Sequence, residues 1–383
     1  MSKFITGNPV VGENFIDRKE HLPLFKSYID NNQNIMIKAP RRFGKTSLVK
    51  HLLENKKEYS YIYIDINIVS NLRRLADKIL DNAYALSNID NFVYKAKNSV
   101  VELFKLVKDI KIDIDDLSSL SIEFNQNKEV DELEYYLHSL NVLNTIASKK
   151  NINVKCVLDE FQDILKIANK DILDKTRSVM QHHQNVTYIF LGSIESIMGD
   201  IFESKSSPFF HFAKIIALPP LNTEELFTYA KKTFTQKSIE CESLFEYLQF
   251  LGGHPDYSMQ FLQKVYINAL AYELHEITEV QMNDFMIDTI SDNRAYINEL
   301  INKAKSKKHH LDVLISLAKN EKSTLNGKSL YNVRMSLEDM GLIRNVSQGT
   351  YVIVDVFLNL VLAVGGFDEL ENKQVLLSSS VRG

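Results

Sequence analysis

The segment Ala39-Pro40-Arg41-Arg42-Phe43-Gly44-Lys45-Thr46 carries the residue types that polyphosphate recognition demands, at the spacing it demands. Holding a triphosphate takes backbone N–H groups converging at a helix N-terminus and a glycine where the chain passes close to the phosphates. It also takes a lysine for the β and γ oxygens and a hydroxyl for Mg²⁺. Gly44, Lys45 and Thr46 supply the glycine, lysine and hydroxyl in that order, although Ala39 stands where such loops usually begin with glycine. Ala39, Pro40, Arg41, Arg42, Phe43, Gly44, Lys45, Thr46 and Ser47 are therefore candidate nucleotide contacts, with Thr46 also a candidate metal ligand. A chance Gly-Lys-Thr is the alternative, and the flanking pattern of strand and helix argues against it.

A second chemical cluster is Leu158-Asp159-Glu160, two acids closing an apolar run. Beside a phosphate loop, Asp159 would hold Mg²⁺ through water and Glu160 would polarise the attacking water. Taken alone, the same residues read equally well as a helix cap by Asp159 and a solvated Glu160. Ser193 follows another apolar run through Gly192 and could sense the γ-phosphate; the alternative is a plain turn at the end of a strand. Lys45, Glu160 and Ser193 are the candidate catalytic residues, and Mg²⁺ with ATP or ADP the expected ligands.

These side chains need a parallel sheet to position them. Asn34 to Ala39 reads as a buried strand, and Leu48, Val49, Leu52 and Leu53 recur at helical spacing after the loop. Further strands are expected at 59–68, 154–158, 186–191 and 213–218, separated by helices that include 129–149 and 173–184. Continuous apolar strands alternating with helices indicate an α/β fold whose sheet is covered on both faces. A helix is expected at 92–109 and a small inserted hairpin at 112–124.

Pro219-Pro220 breaks the pattern, and the chain beyond reads as helical: 223–233, 241–250, 256–271 and 280–305 with interruptions. Helices near 309–319 and 328–340, followed by apolar runs on either side of Gly349, resemble a winged helix-turn-helix. The expected division is a nucleotide-binding core over 1–220, a helical lid over 221–305 and a winged-helix-like domain over 306–383.

The 383 residues are 45% hydrophobic and 25% charged, with a formal net charge of -4, so general affinity for nucleic acid is not expected from bulk charge. Two cysteines are too few for a disulfide framework or a zinc site and fit a reducing cytoplasm. No apolar run approaches the ~20 residues of a membrane span, and Met1 to Gly7 has no signal-peptide core, so a cytoplasmic location without membrane attachment is expected. The pairs His182-His183 and His309-His310 point to different helix faces and make poor metal sites.

Five segments together resemble the archaeal-type ATPase family, a branch of the AAA+ class close to the signal-transduction ATPases with numerous domains. They are Phe15-Ile16-Asp17-Arg18-Lys19-Glu20, Ala39 to Ser47, Leu158 to Glu160, Gly192-Ser193 and Gly252-Gly253-His254-Pro255. The resemblance implies that Phe15, Ile16 and Arg18 border the adenine, and that His254 or Pro255 lies over the nucleotide from the lid. A capping turn before the next helix and a tight turn at Pro255 are the respective alternatives. The expected function is a nucleotide-driven conformational switch that hydrolyses ATP slowly, and a homo-oligomer is among the expected partners. DNA-binding or a protein-scaffold role are the rival outcomes for the winged helix. One departure bears on rate: Ser207-Pro208-Phe209-Phe210-His211-Phe212 lacks the arginine that relatives often carry there, so no arginine finger is evident.

Overall fold

Successive side chains of each strand point to opposite faces, and helices cover the sheet on both of them. The computed structural model describes residues 4–12, 15–16, 18, 21–54, 59–86, 131–169, 171–193, 195–347 and 349–372. The helix expected at 92–109 and the hairpin at 112–124 lie outside these residues.

The core begins with α1 (Leu22–Asp30), β1 (Ile35–Lys38), α2 (Lys45–Glu54), β2 (Ser60–Asp65) and α3 (Leu72–Leu86). It continues with α4 (Glu132–Lys149), β3 (Val154–Asp159), the 3-10 turn Phe161–Asp163, α5 (Ile164–Ile167) and α6 (Ile172–Met180). It closes with β4 (Val186–Gly192), α7 (Glu195–Phe202) and β5 (Lys214–Ala217). The five strands are all parallel, in the order β2-β3-β4-β1-β5.

Ile35, Ile37, Val157, Ile189 and Leu191 point to one face, where Phe25, Leu48, Val49 and Leu53 of α1 and α2 cover them. Their strand neighbours Met36, Cys156, Leu158, Tyr188 and Phe190 point to the other, under α3, α4 and α6. On that face Phe161, Phe190, Phe202 and Phe209 form edge-on and tilted ring contacts with centroids 4.7–5.9 Å apart. Such packing fixes the turn that carries Glu160.

After the sheet come α8 (Thr223–Thr235), β6 (Glu240–Cys241), α9 (Leu244–Phe250), α10 (Pro255–Ala271), β7 (Glu276–Ile277), α11 (Glu279–Asp292) and α12 (Arg294–Lys305). The helix expected from Cys241 starts only at Leu244. Glu240 and Cys241 are instead held in a short parallel ladder with Glu276 and Ile277, and Ser243 adopts a positive φ of 51° before the helix begins.

The last elements are α13 (His310–Ala318), α14 (Gly327–Asp339), the antiparallel pair β8 (Ile343–Ser347) and β9 (Thr350–Ile353), α15 (Val356–Val364) and α16 (Phe367–Asn372). One apolar cluster runs without interruption from Leu226, Tyr247 and Phe261 through Ile290 and Ile297 to Leu314, Leu337, Phe357 and Leu370. The boundary expected after Lys305 thus crosses a shared core. Lysines near it serve the joint: Lys303 Nζ donates to Met340 O at 2.7 Å, and Lys307 Nζ to Ser336 Oγ at 3.0 Å. Among the described residues no helix is long and apolar enough to cross a membrane.

Candidate functional site

β1 and β3 are not neighbours in the sheet, because β4 runs between them. Lys38, the last residue of β1, pairs with Gly192, so Ser193 leaves the sheet between the loop after β1 and the acids after β3. Strand order therefore brings Lys45, Ser193, Asp159 and Glu160 to one edge.

The loop from Ala39 to Gly44 wraps back on itself. Arg42 and Gly44 have positive φ values of 64° and 80°, the alternation that turns successive N–H groups toward a common centre. Lys45, 6% exposed, donates from Nζ to Ala39 O and Pro40 O, both at 2.8 Å. Those carbonyls hold the ammonium at the loop, where phosphate oxygens would compete for it.

Thr46 Oγ1 donates to Asp159 Oδ2 at 3.0 Å, and the hydroxyl of Tyr63 on β2 donates to the same oxygen. Burial, then the charge of Asp159, raises the Tyr63 hydroxyl well above the ordinary tyrosine range, so it remains a donor. Asp159 and Thr46 thus present two hard oxygen ligands side by side, which suits Mg²⁺ completed by phosphate and water. Glu160 faces the other way, with Oε2 accepting from Ser193 N at 3.1 Å and Ser193 Oγ at 2.7 Å.

Two clefts meet at these residues. One, of about 940 Å³, lies between the loop and α10 and is lined by Arg41 to Ser47, Asp159, Glu160, Ser193, Pro255 and Met259. The chain before α1 also borders it: Ile5 to Val10 run alongside, with Val10 N donating to Ser47 Oγ at 3.0 Å and Thr6 Oγ1 to Gln263 Oε1 at 3.1 Å. The other, of about 830 Å³, opens between the core and α14 and also reaches Arg41, Glu160 and Ser193.

Residues 15–261 match the family of ATPase domains found predominantly in Archaea. The chain belongs to that family. Two curated relatives of this chain come from Methanocaldococcus jannaschii. An uncharacterized protein is 27% identical over 70% of this chain and 47% of its own length, so this chain spans about half of it. An uncharacterized ATP-binding protein is 21% identical over 65% of this chain and 69% of its own. Among solved structures, the fold resembles the Walker-type ATPase of Pyrococcus abyssi, with TM-score 0.66 and 18% identity over 94% of this chain and 99% of that one. It also resembles the ORC2 protein of Aeropyrum pernix, with TM-score 0.53 and 14% identity over 100% and 98%.

The remaining expected nucleotide contacts are placed unevenly. Pro255 borders the larger cleft and His254 the smaller. Phe15 stacks on His51 with centroids 4.2 Å apart, and Ile16 packs on the apolar cluster of the helices after β5; neither borders the larger cleft. Arg18, 3% exposed, clamps backbone instead, donating to Phe43 O and Pro219 O at 2.9 Å each. It braces the phosphate loop against the segment that leads into α8.

Asp256, Tyr257, Asn293, Tyr296 and Asp355 also shape the site, and none of them carried a signal in isolation. Arg42 Nη1 lies 3.3 Å from Asp256 Oδ2, its side chain donates to Asn293 Oδ1 at 3.4 Å, and it sits 4.8 Å over the Tyr296 ring. Phe43 meets the His254 ring edge-on at 5.0 Å, and His254 stacks on Tyr257 at 4.0 Å. Tyr257 stacks in turn on Phe357 at 3.9 Å and donates to Asp355 Oδ2 at 2.6 Å. Burial, then the neighbouring Arg42 charge, lowers the His254 imidazole to about 3. Its neutral Nδ1 therefore stays available to accept from Tyr257 N at 3.3 Å and cap α10.

Proposed function

We propose that this ATPase binds Mg-ATP in the larger cleft and uses it as a switch that repositions the C-terminal helix–hairpin unit, read as a winged helix, with slow hydrolysis resetting the state. In this reading the backbone of Pro40 to Gly44 and the Lys45 ammonium bind the phosphates, and Ser47 helps anchor the strap before α1. Thr46 and Asp159 hold the metal, which supplies charge neutralisation on the phosphates when bound. Glu160 accepts the proton of the attacking water, and Ser193 reports on the γ-phosphate. Pro255 and His254 close the site from the lid.

The single observation that carries the switch is the unbroken run of contacts from the phosphate loop to α15. Phe43 touches His254, His254 stacks on Tyr257, and Tyr257 binds Asp355, whose Oδ1 caps α15 by accepting from Leu358 N at 2.8 Å. A loop that rearranges around phosphate shifts the first of these and biases the rest.

The test combines binding, turnover and amide exchange. Lys45→Ala is expected to abolish ATP binding, while Glu160→Gln keeps binding and loses turnover. Amides at 255–258 and 355–358 are expected to change their exchange rates when ATP binds wild type. Equal ATP affinity in wild type and Lys45→Ala would remove the basis of the reading.

A second reading, duplex DNA binding, draws on exposed Lys322, Lys328 and Arg344 in the C-terminal unit. Against it, Lys303 and Lys307 are engaged at the joint, and Arg334 lies 5.1 Å from the Tyr351 ring. A salt-sensitive gel shift lost on charge reversal at Lys328 and Arg344 supports DNA binding, and no shift at low salt excludes it.

A further inference from the structure

We propose that Gln162 is a positioning residue that holds Glu160 against the end of β4, so that ATP turnover is restrained from within the chain. The inference rests on the reading of Glu160 as the group that accepts a proton from water.

Glu160 Oε2 accepts from Gln162 Nε2 at 2.5 Å, in addition to Ser193 N at 3.1 Å and Ser193 Oγ at 2.7 Å. Three donors on one carboxylate oxygen hold the Glu160 side chain at the end of β4, so it must give up some of them to turn toward water on the loop side. The two adjacent acids are also pulled apart. Asp159 Oδ2 is drawn to Thr46 and Tyr63 on the loop side, whereas Glu160, with a positive φ of 52°, is drawn toward β4.

The glutamine sits there at a cost that packing alone would not require. Gln162 is 4% exposed and its Oε1 has no hydrogen-bond partner among the described residues. An apolar side chain of similar volume would fill the space without an orphaned acceptor. The end of β4 is also shaped around it. A Cβ at Gly192 would lie 2.5 Å from Gln162 Oε1 and 2.4 Å from Met198 Cγ, so glycine is what admits this amide beside the sheet. Gln162 lines the smaller cleft together with Glu160 and Ser193, so the restraint faces α14 as well as the loop.

A γ-phosphate that draws Ser193 toward itself removes both serine donors from Glu160. Gln162 then remains as the residual hold on the carboxylate, and its strength sets how far Glu160 can turn to water.

The experiment measures ATP affinity, KM, kcat and melting temperature on the full chain, comparing wild type with Gln162→Leu and Gln162→Met. Losing one hydrogen bond to a charged group is expected to raise kcat about 10-fold. KM and ATP affinity are expected to stay within about twofold in both variants, since Gln162 does not border the larger cleft. Adding Glu160→Gln to Gln162→Leu should abolish the gain. A kcat that is unchanged or lower in folded variants overturns the inference, as does bound ATP without turnover in every protein. Absence of ATP binding by wild type is seen before any turnover is measured; it sinks the reading of the site, and this inference with it. Two variants of matched volume keep one packing defect from deciding the outcome.

Discussion

The Arg42 guanidinium lies 3.3 Å from the Asp256 carboxylate, joining the phosphate loop to the first turn of α10 across the mouth of the larger cleft. Burial raises the Asp256 carboxyl above its ordinary value, and the Arg42 charge opposes that rise. Arg42 also holds Asn293 and overlies Tyr296, so a single side chain reaches the α11–α12 turn and the first turn of α12. Both partners are partly exposed, at 37% and 19%, which places their coupling near the modest values of surface pairs. A double-mutant cycle with Arg42→Ala and Asp256→Ala, read by urea unfolding, is expected to give about 0.5–1 kcal/mol that shrinks in high salt. Strict additivity would show that the pair does not fasten lid to loop.

Thr46 Oγ1 and Asp159 Oδ2 meet at 3.0 Å, and in the proposed reading the Thr46 hydroxyl reaches the metal from α2. Thr46→Val keeps the shape and removes that oxygen. ATP affinity measured with Mg²⁺ is expected to fall at least 10-fold, about 1.4 kcal/mol, whereas affinity measured in excess chelator should hardly change. Equal losses with and without the metal would assign Thr46 a packing role.

Gly253 closes the turn before α10 with a φ of +70°, and its carbonyl accepts from Leu221 N at 2.8 Å. A Cβ there would lie 2.0 Å from Leu221 O, a backbone atom that cannot move aside without breaking the turn. Gly253→Ala combines that clash with an unfavourable φ, so a loss of about 2–4 kcal/mol is expected in denaturant unfolding. The neighbouring Gly252→Ala, with a φ of +58° and nothing within 4 Å, should cost about 1 kcal/mol. Similar costs at both glycines would contradict the close approach to Leu221.

His254 titrates near 3 in the folded chain against 6.5 as its ordinary value. Between those values the unfolded chain binds the extra proton, so stability is complete above about pH 6.5 and falls as pH drops toward 3. From pH 7 to pH 5 the expected loss is ~2 kcal/mol. His254→Asn keeps an oxygen able to cap α10 and removes the titration. Its melting temperature should therefore fall less over this range than that of wild type. Parallel pH profiles would show that His254 is not the source of the acid sensitivity.

Much of the chemistry was legible because it lies in short contiguous runs. Gly44-Lys45-Thr46 after an apolar strand, and Asp159-Glu160 after another, need no partner to be recognised, since the strand end and helix start are local. Parallel strands buried on both faces read as apolar runs for the same reason, and β3 and β4 are buried along their whole lengths. By contrast, the helix expected at Cys241 was displaced by a ladder with Glu276 and Ile277, a pairing of residues far apart in sequence. Tyr63, Asp256, Tyr257, Asn293 and Asp355 were invisible as site residues because each is ordinary where it stands. Gln162 had the clearest signal of those missed, lying two residues beyond Glu160 in a buried turn.

The order of residues determined that a lysine, a hydroxyl and two acids would stand at strand ends, because strand, loop and helix are dictated by neighbours along the chain. The placing of β4 between β1 and β3, which sets Ser193 beside Glu160, was decided only when the sheet assembled. So was the meeting of Arg42 with Asp256, 214 positions apart in the numbering. Contacts of that kind depend on burial shared by many distant side chains, and no local pattern encodes them.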